Sequence, residues 1–163
     1  GAVIAEGSDS AFHFVSGARG DEALVIGSVP PAPNPFDAGK ASRASPTPPV
    51  IRMNGQEVFR FAVDAMVKSI RDVAARAGES IADIDHFVCH QANRRIIESA
   101  AKRLGAPLDR FFLNIEHRGN TSAASVPIAL DELYATGKLR RSDRIILAGF
   151  GGGLTYGAVY MRW

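Results

Sequence analysis

The chain has 163 residues, enough for one domain with a hydrophobic core, and 46% of them are hydrophobic and 22% charged, as in ordinary globular proteins. A formal net charge of +2 is too small to indicate nucleic acid as a partner. No apolar run approaches the ~20 residues that a membrane-spanning helix needs. The single cysteine, Cys89, excludes an internal disulfide and favours a reducing, cytoplasmic location.

The first fifty residues are predicted to be rich in β-structure. Short apolar runs separated by Gly, Ser and Asp predict strands at 1–5, 11–16 and 22–29. A stretch rich in proline and serine follows at 30–49 and is typical of a long surface loop. Because the chain opens directly on a strand pattern without a methionine, we expect that it was cut from a longer polypeptide.

Helices and strands alternate from Asn54 onward. Asn54 is a suitable N-cap and Gly78 a suitable C-terminal residue for a long helix between them. The helix that begins near Thr121 carries no charge in its first part, so it should be buried on most sides. Pro127 fits this helix only in its first turns or at a local kink. The predicted elements are helix 54–77, strand 86–90, helix 92–104, strand 111–115, helix 121–134, strand 144–148 and strand 154–162. This order predicts an α/β fold with a mostly parallel sheet of five strands, in which only the last strand is antiparallel.

Three segments with chemically useful residues fall where predicted strands end, which is where α/β sheets bind ligands. They contain His90, Asn120 and the glycine run 151–153. Each also has an ordinary structural explanation, as a structural histidine, a turn residue that caps a helix, and a hairpin turn. Taken singly, none of them decides between structure and function.

Together, four segments resemble the β-ketoacyl-acyl carrier protein synthase III family in order and spacing. They are MNGQEVF at 53–59, HQANRR at 90–95, GNTSAAS at 119–125 and FGGG at 150–153. The resemblance covers essentially the whole chain and is loosest at 8–49. It implies the C-terminal half of a thiolase-type αβαβα sandwich, with residues 51–163 as the C-terminal domain. Residues 1–50 would belong partly with an absent N-terminal half.

The resemblance also implies a reaction, the decarboxylative condensation that initiates fatty-acid synthesis. A cysteine takes up an acyl primer from acyl-CoA, and malonyl-acyl carrier protein is the second substrate; neither a cofactor nor a metal is implied. His90 and Asn120 would stabilise the enolate left by decarboxylation, and Gly152 would supply an N–H group to the oxyanion hole. Phe150 would line the acyl pocket, and Asn93 would lie near the thiol-bearing arm of the substrate.

The nucleophilic cysteine of that family lies in the N-terminal half. Cys89 cannot replace it, because it directly precedes His90 and neighbouring residues of a strand face opposite ways. We therefore expect this chain to need a Cys-bearing partner half, to be inactive in condensation alone, and to form part of the family's homodimer. His13, His86 and His117 match no catalytic position and are interpreted as structural or surface residues.

Basic residues on two predicted helices match the family's docking positions for acyl carrier protein, an acidic partner. They are Arg60, Arg95, Lys102 and Arg103. Ordinary solvent-exposed charge is the alternative explanation for these residues. For the chain as a whole, two other functions stay open: a related thiolase-fold acyltransferase or ketosynthase of specialised metabolism, and a non-catalytic partner subunit.

Overall fold

A computed structural model describes residues 12–20, 24–26 and 51–163. The strands and helices within these residues follow in chain order. They are β1 His13–Ala18, β2 Leu24–Ile26, β3 Ile51–Met53, α1 Gly55–Arg76, β4 His86–Cys89, α2 Arg94–Leu104, α3 Ile115–Arg118, α4 Ser125–Ala135, β5 Arg144–Gly151 and β6 Thr155–Arg162. The predicted strand 1–5 and loop 30–49 lie outside the described residues. None of the helices in the described ranges is both long and apolar enough to cross a membrane.

The described strands form one sheet of four strands, in the order β1-β6-β5-β4, and a separate antiparallel pair of β2 with β3. β4 runs parallel to β5, whereas β6 is antiparallel to both β5 and β1. The predicted α/β class and the antiparallel final strand are therefore confirmed. The sheet itself is mixed rather than mostly parallel, and it contains four described strands rather than five.

The predicted strand at 111–115 is not a strand in the structure. Only Phe111 pairs with β4, through a single parallel bridge to Phe87, and Ile115 already begins α3. Beyond this bridge, the fully buried side chain of Gln91 makes hydrogen bonds to the segment in place of main-chain pairing with β4. It donates to the carbonyls of Cys89 and Phe112, both at 3.0 Å, and accepts the N–H of Asn114 at 3.2 Å. A glutamine side chain thus holds this segment beside β4.

The sheet is packed on both faces, which gives three layers. On one face, α1 and α2 cover side chains of β4 and β5 that include Phe87, Cys89 and Ile146. On the opposite face, α4 packs against Val88 and Ile145. Burial of apolar area on both sides is the main stabilising contribution, at roughly 25 cal/mol per Å². Successive residues of β4 therefore belong to different cores.

The helix boundaries follow from local capping. The side chain of Asn54 accepts the N–H of Glu57 and begins α1, as predicted, while Gly78 follows the helix with a φ of 71°. α2 begins at Arg94, two residues later than predicted, because the side chain of Asn93 caps it. A 3-10 turn at Ser122–Ala124 precedes α4, so that helix also begins later than predicted. Pro127 lies in the first turn of α4, as expected.

Gly17 lies in β1, the outermost of the four described strands of this sheet, and faces the ring of Tyr156 in β6. The two residues are paired in register, and a Cβ atom added at Gly17 would lie 2.4 Å from the hydroxyl oxygen of Tyr156. The absence of a side chain at this position lets the tyrosine ring lie across β1. The ring also meets Phe61 of α1 edge-on, with ring centroids 6.3 Å apart. Gly17 therefore determines where the Tyr156 ring can lie.

Substitution of Gln91 by alanine should destabilise the protein by about 3 kcal/mol or more. Three main-chain groups, two buried and one partly buried, would lose their partner, and each buried group of this kind costs about 1–3 kcal/mol. The measurement is the free energy of unfolding of the complete protein that contains this chain. Gln56→Ala removes an exposed glutamine from α1 and is the matched control. An equal, small effect of the two substitutions would contradict the structural role of Gln91.

Candidate active site

A cavity of about 870 Å³ lies at the carboxyl ends of β4 and β5, beside the start of α4. This is the edge of an α/β sheet at which ligands generally bind. Five residues singled out from the sequence line it: His90, Asn93, Asn120, Phe150 and Gly152. The structure thus brings together residues from three separate sequence motifs. It leaves the four predicted docking residues outside the cavity.

His90 follows β4 directly, and its main-chain N–H extends the ladder by bonding to the carbonyl of Ala148 at 2.8 Å. Its side chain leaves the sheet on the α4 side, where Nδ1 lies 2.5 Å from Oγ of Ser125. The ring of Phe150 meets the imidazole edge-on, with centroids 5.2 Å apart. The ring is therefore fixed from two sides. Nε2, which makes no hydrogen bond to a described residue, is the nitrogen available to a ligand.

The imidazole of His90 is partly buried, and this burial lowers its pKa below the usual 6.5. Burial acts in this direction because transfer out of water disfavours the charged form. The side chain is therefore neutral near pH 7. A neutral imidazole carries one N–H donor and one acceptor nitrogen.

Asn120 enters the cavity from the loop between α3 and α4. Its Oδ1 accepts the N–H of Ser122 at 3.0 Å, which leaves the amide nitrogen as the part of the side chain that can donate. Ser122 has a φ of 52°, a left-handed conformation that is uncommon outside glycine and is found at functional sites. This loop conformation orients the side-chain amide of Asn120. The two helices that flank the loop are held together by an ion pair, since Arg118 of α3 pairs with Glu132 of α4 at 2.5 Å.

Phe150 and Gly152 lie at the end of β5. Phe150 is still in the strand, paired with Tyr156, and the ladder ends at Gly151 and Thr155. β5 therefore extends beyond the predicted strand 144–148, and the turn between β5 and β6 begins after Gly151. Gly152 is exposed, and its N–H makes no hydrogen bond to a described residue. That N–H is available to an anionic group in the cavity.

Asn93 lines the same cavity and also begins α2. Its Oδ1 accepts the N–H of Arg95 at 2.9 Å, so one end of the side chain is occupied by capping. The amide nitrogen remains for a ligand. The same residue thus serves both the helix and the cavity wall.

The predicted docking residues are exposed on two neighbouring helices. Arg60 lies on α1, and Arg95 and Lys102 lie on α2 at a spacing of seven residues, which places them on one face. Arg103 differs, because its guanidinium pairs with Asp64 of α1 at 2.5 Å. Arg60, Arg95 and Lys102 make no ion pair with another described residue, so they carry the available positive charge of this surface.

Cys89 and the other histidines lie away from the cavity. Cys89 is 1% exposed and belongs to the core on the α1 and α2 face, the side opposite His90. Burial raises the pKa of its thiol to about 12, so it is protonated and unreactive at neutral pH. His86 lies 3.3 Å from Asp143, His13 packs beside Tyr160, and His117 is exposed in α3.

Two features of the site were not anticipated from the sequence. Ser125, in contact with His90, is part of the GNTSAAS motif, but the motif gives no sign of which atom it meets. Much of the cavity wall is apolar and comes from α1, α2 and α4. The apolar residues that these three helices contribute are Val58, Phe59, Ile96 and Val126. These positions look like ordinary core residues in the sequence pattern.

Residues 74–163 match the family described as 3-oxoacyl-[acyl-carrier-protein (ACP)] synthase III C terminal. The β-ketoacyl-[acyl-carrier-protein] synthase III of Clostridium acetobutylicum is 49% identical over 130 residues, which are 80% of this chain and 39% of that protein. The protein of the same name from Clostridium novyi is 47% identical over 133 residues, 82% of this chain and 40% of its own length.

Solved structures give the same result for the fold. The 3-oxoacyl-(acyl carrier protein) synthase III of Pseudomonas aeruginosa superposes with a TM-score of 0.79 at 38% identity, covering 93% of this chain and 43% of that one. The enzyme of the same description from Aquifex aeolicus gives a TM-score of 0.79 at 36% identity and covers 98% of this chain and 46% of its own.

The layered sheet, with helices on both faces, thus belongs to the thiolase fold. Within that class, the chain belongs to the β-ketoacyl-[acyl-carrier-protein] synthase III family, as its C-terminal domain. The resemblance inferred from the four motifs is confirmed. The chain spans about two fifths of the length of the curated relatives it matches.

The imidazole of His90 should titrate below pH 6.5 in the complete protein. The unfolded chain then binds more protons than the folded one as the pH falls through 6.5, so the contribution of His90 to stability is lost on acidification and is unaffected above that range. The measurement is an NMR titration of ¹⁵N-labelled histidine, with His90→Ala used to assign the signal. Half-protonation at or above pH 6.5 would contradict the buried position of the ring.

Proposed function

We propose that this chain supplies the enolate-stabilising part of a β-ketoacyl-acyl carrier protein synthase III active site. The observation that carries the proposal is the shared cavity, in which Nε2 of His90 and the side-chain amide of Asn120 are both available as donors. In the proposed reaction the primer comes from acyl-CoA and the extender is malonyl-acyl carrier protein. The reaction would begin fatty-acid synthesis and would need neither a metal nor a cofactor.

Decarboxylation is the step that needs two such donors. When the carbon–carbon bond to the malonyl carboxylate breaks, carbon dioxide leaves and the electron pair forms an enolate on the thioester. The negative charge develops on the thioester oxygen. Two preorganised N–H donors stabilise that oxygen more strongly in the transition state than in the substrate. A neutral His90 and an amide both meet this requirement.

The enolate carbon then attacks the acyl-cysteine thioester. A tetrahedral intermediate forms with its charge on oxygen, and it collapses with release of the cysteine thiolate. The free N–H of Gly152, beyond the last pair of the β5–β6 ladder, is suited to stabilise that oxyanion. The apolar wall with Phe150 would accept the primer chain, and Asn93 would bind the arm that carries the thiol.

The nucleophile would come from a Cys-bearing N-terminal half. Cys89 is unsuited to the role, because it is buried in the core on the opposite face of the sheet. The division into residues 1–50, which belong partly with that half, and residues 51–163 stays a prediction. A homodimer and a cytoplasmic location are proposed on the family relationship alone.

A second function within the same fold remains in view, a ketosynthase or acyltransferase of specialised metabolism with other acyl groups. The same donors would serve it, so the cavity residues do not separate the two. A non-catalytic subunit is disfavoured, because Nε2 of His90 and the amide nitrogen of Asn120 are both left available in the cavity.

Substitution of His90 or Asn120 by alanine should lower condensation about 10²–10³-fold in the complete enzyme, the usual effect of removing one such donor. Product is measured from acyl-CoA and malonyl-acyl carrier protein. This chain alone should make none, and addition of the N-terminal half should restore synthesis. His13→Ala, a histidine outside the cavity, is the matched control. Condensation by this chain alone, or full activity of His90→Ala, would overturn the proposal.

The docking surface is the further part of this proposal. Arg60, Arg95 and Lys102 would meet the acidic acyl carrier protein, since opposite charges steer association and improve the encounter rate. Arg103 contributes less to the available charge because of its pair with Asp64. The resemblance gave all four residues the same weight, whereas the contacts favour three of them.

Reversal of Arg95 to glutamate should raise the KM for malonyl-acyl carrier protein roughly tenfold at low salt, with a smaller effect at high salt. Acyl transfer from CoA to the cysteine should be unchanged. Arg141→Glu, an equal charge reversal near the amino end of β5 and away from the cavity, is the matched control. Equal losses in both half-reactions would indicate a fault in folding or in the pocket, and would refute docking.

A further inference from the structure

Ser125 lies behind His90 and is the first residue of α4. It is 2% exposed, and its hydroxyl oxygen has two neighbours. The main-chain N–H of Gln91 donates to it at 3.3 Å, and Nδ1 of His90 lies at 2.5 Å. A main-chain N–H can only donate, so the hydroxyl acts as an acceptor toward Gln91 in either arrangement of the histidine proton.

The position of the remaining proton follows from the available acceptors. A serine hydroxyl has one hydrogen to donate, and a neutral imidazole has one N–H and one bare nitrogen. If Nδ1 carried the hydrogen, the buried hydroxyl of Ser125 would have no acceptor among the described residues. If Nδ1 is bare, the hydroxyl donates to it and every group is satisfied. Buried donors without partners are rare because they are costly.

We propose that Ser125 is a positioning residue that holds His90 in the tautomer with hydrogen on Nε2. The inference rests on the proposed function, because that tautomer is the one that presents a donor to the cavity. In the other tautomer, Nε2 would present a lone pair to the developing negative charge and repel it. Ser125 begins α4, and the positive N-terminal end of that helix favours a lone pair over a hydrogen on the neighbouring Nδ1.

Gln91, Ser125 and His90 form a continuous series of hydrogen bonds that orients the imidazole ring. Gln91 fixes the main chain immediately after β4 through three hydrogen bonds of its side chain. Its main-chain N–H then donates to a lone pair of the Ser125 hydroxyl oxygen. The hydroxyl hydrogen is thereby directed at Nδ1. Ser125 does not itself line the cavity, so it acts only through His90.

The test uses the complete enzyme, in which this chain is joined to its Cys-bearing half. Ser125→Ala should lower kcat for condensation about tenfold or more, in line with other losses of a partner that orients a histidine. The KM for malonyl-acyl carrier protein and the acyl-transfer step should stay unchanged. Long-range ¹⁵N NMR should show Nε2 protonated in the parent enzyme and a shift toward the Nδ1-protonated form in Ser125→Ala.

Two further variants separate positioning from packing. Ser125→Thr keeps the hydroxyl and should recover most of kcat together with the parent tautomer. Ser69→Ala removes a fully buried hydroxyl from α1, bonded only to the carbonyl of Met66, and should change neither kcat nor the tautomer. A loss of activity in Ser125→Ala with an unchanged tautomer would overturn the proposal, as would full activity with an unchanged tautomer.

The His90→Ala variant tests the proposed enolate-stabilising role separately from the positioning role of Ser125. If His90→Ala loses condensation while Ser125→Ala keeps parent kcat and tautomer, the positioning role is refuted and the enolate-stabilising role stands. If His90→Ala keeps full activity, the enolate-stabilising role is refuted, and the positioning role is refuted with it.

Discussion

Three consecutive residues at the end of β4 point in three directions, and the site depends on that division. Cys89 faces the core under α1 and α2, His90 faces the cavity on the α4 side, and Gln91 turns its amide to the segment 111–114. The alternation of a β-strand imposes the first two directions. The third arises because the strand has ended and a side chain takes over the main-chain hydrogen bonding. A shift of one residue in the register would send the histidine into the core.

Elements whose capping residues and apolar pattern lie within or beside them were predicted accurately from the sequence. The long helix α1 was predicted within a residue at each end, because its buried stripe, Asn54 and Gly78 all act within the helix or beside it. The starts of α2 and α4 were placed too early. In those cases Asn93 and the turn at Ser122–Ala124 divert the chain before the helix begins.

The strand expected at 111–115 shows where local pattern fails. Phe111, Phe112 and Leu113 form an apolar run typical of a strand. Two main-chain hydrogen bonds of this segment nevertheless go to the side chain of Gln91, which is distant in the sequence. The site divides in the same way. Motif order was sufficient to name five residues that line one cavity, whereas Ser125 meets His90 across 35 positions of the chain. Contacts at that separation have no signature in a single sequence.

The pairing of Gly17 with Tyr156 has a consequence for how the cavity can change shape between related proteins. Tyr156 is part of the cavity wall, but Gly17 is not, and any side chain at Gly17 must displace the tyrosine ring. A mutation in β1 can therefore alter the shape of the cavity while every wall residue is retained. The selectivity of the cavity for its ligands can therefore change through Gly17, a position that a comparison of cavity-lining residues would not include.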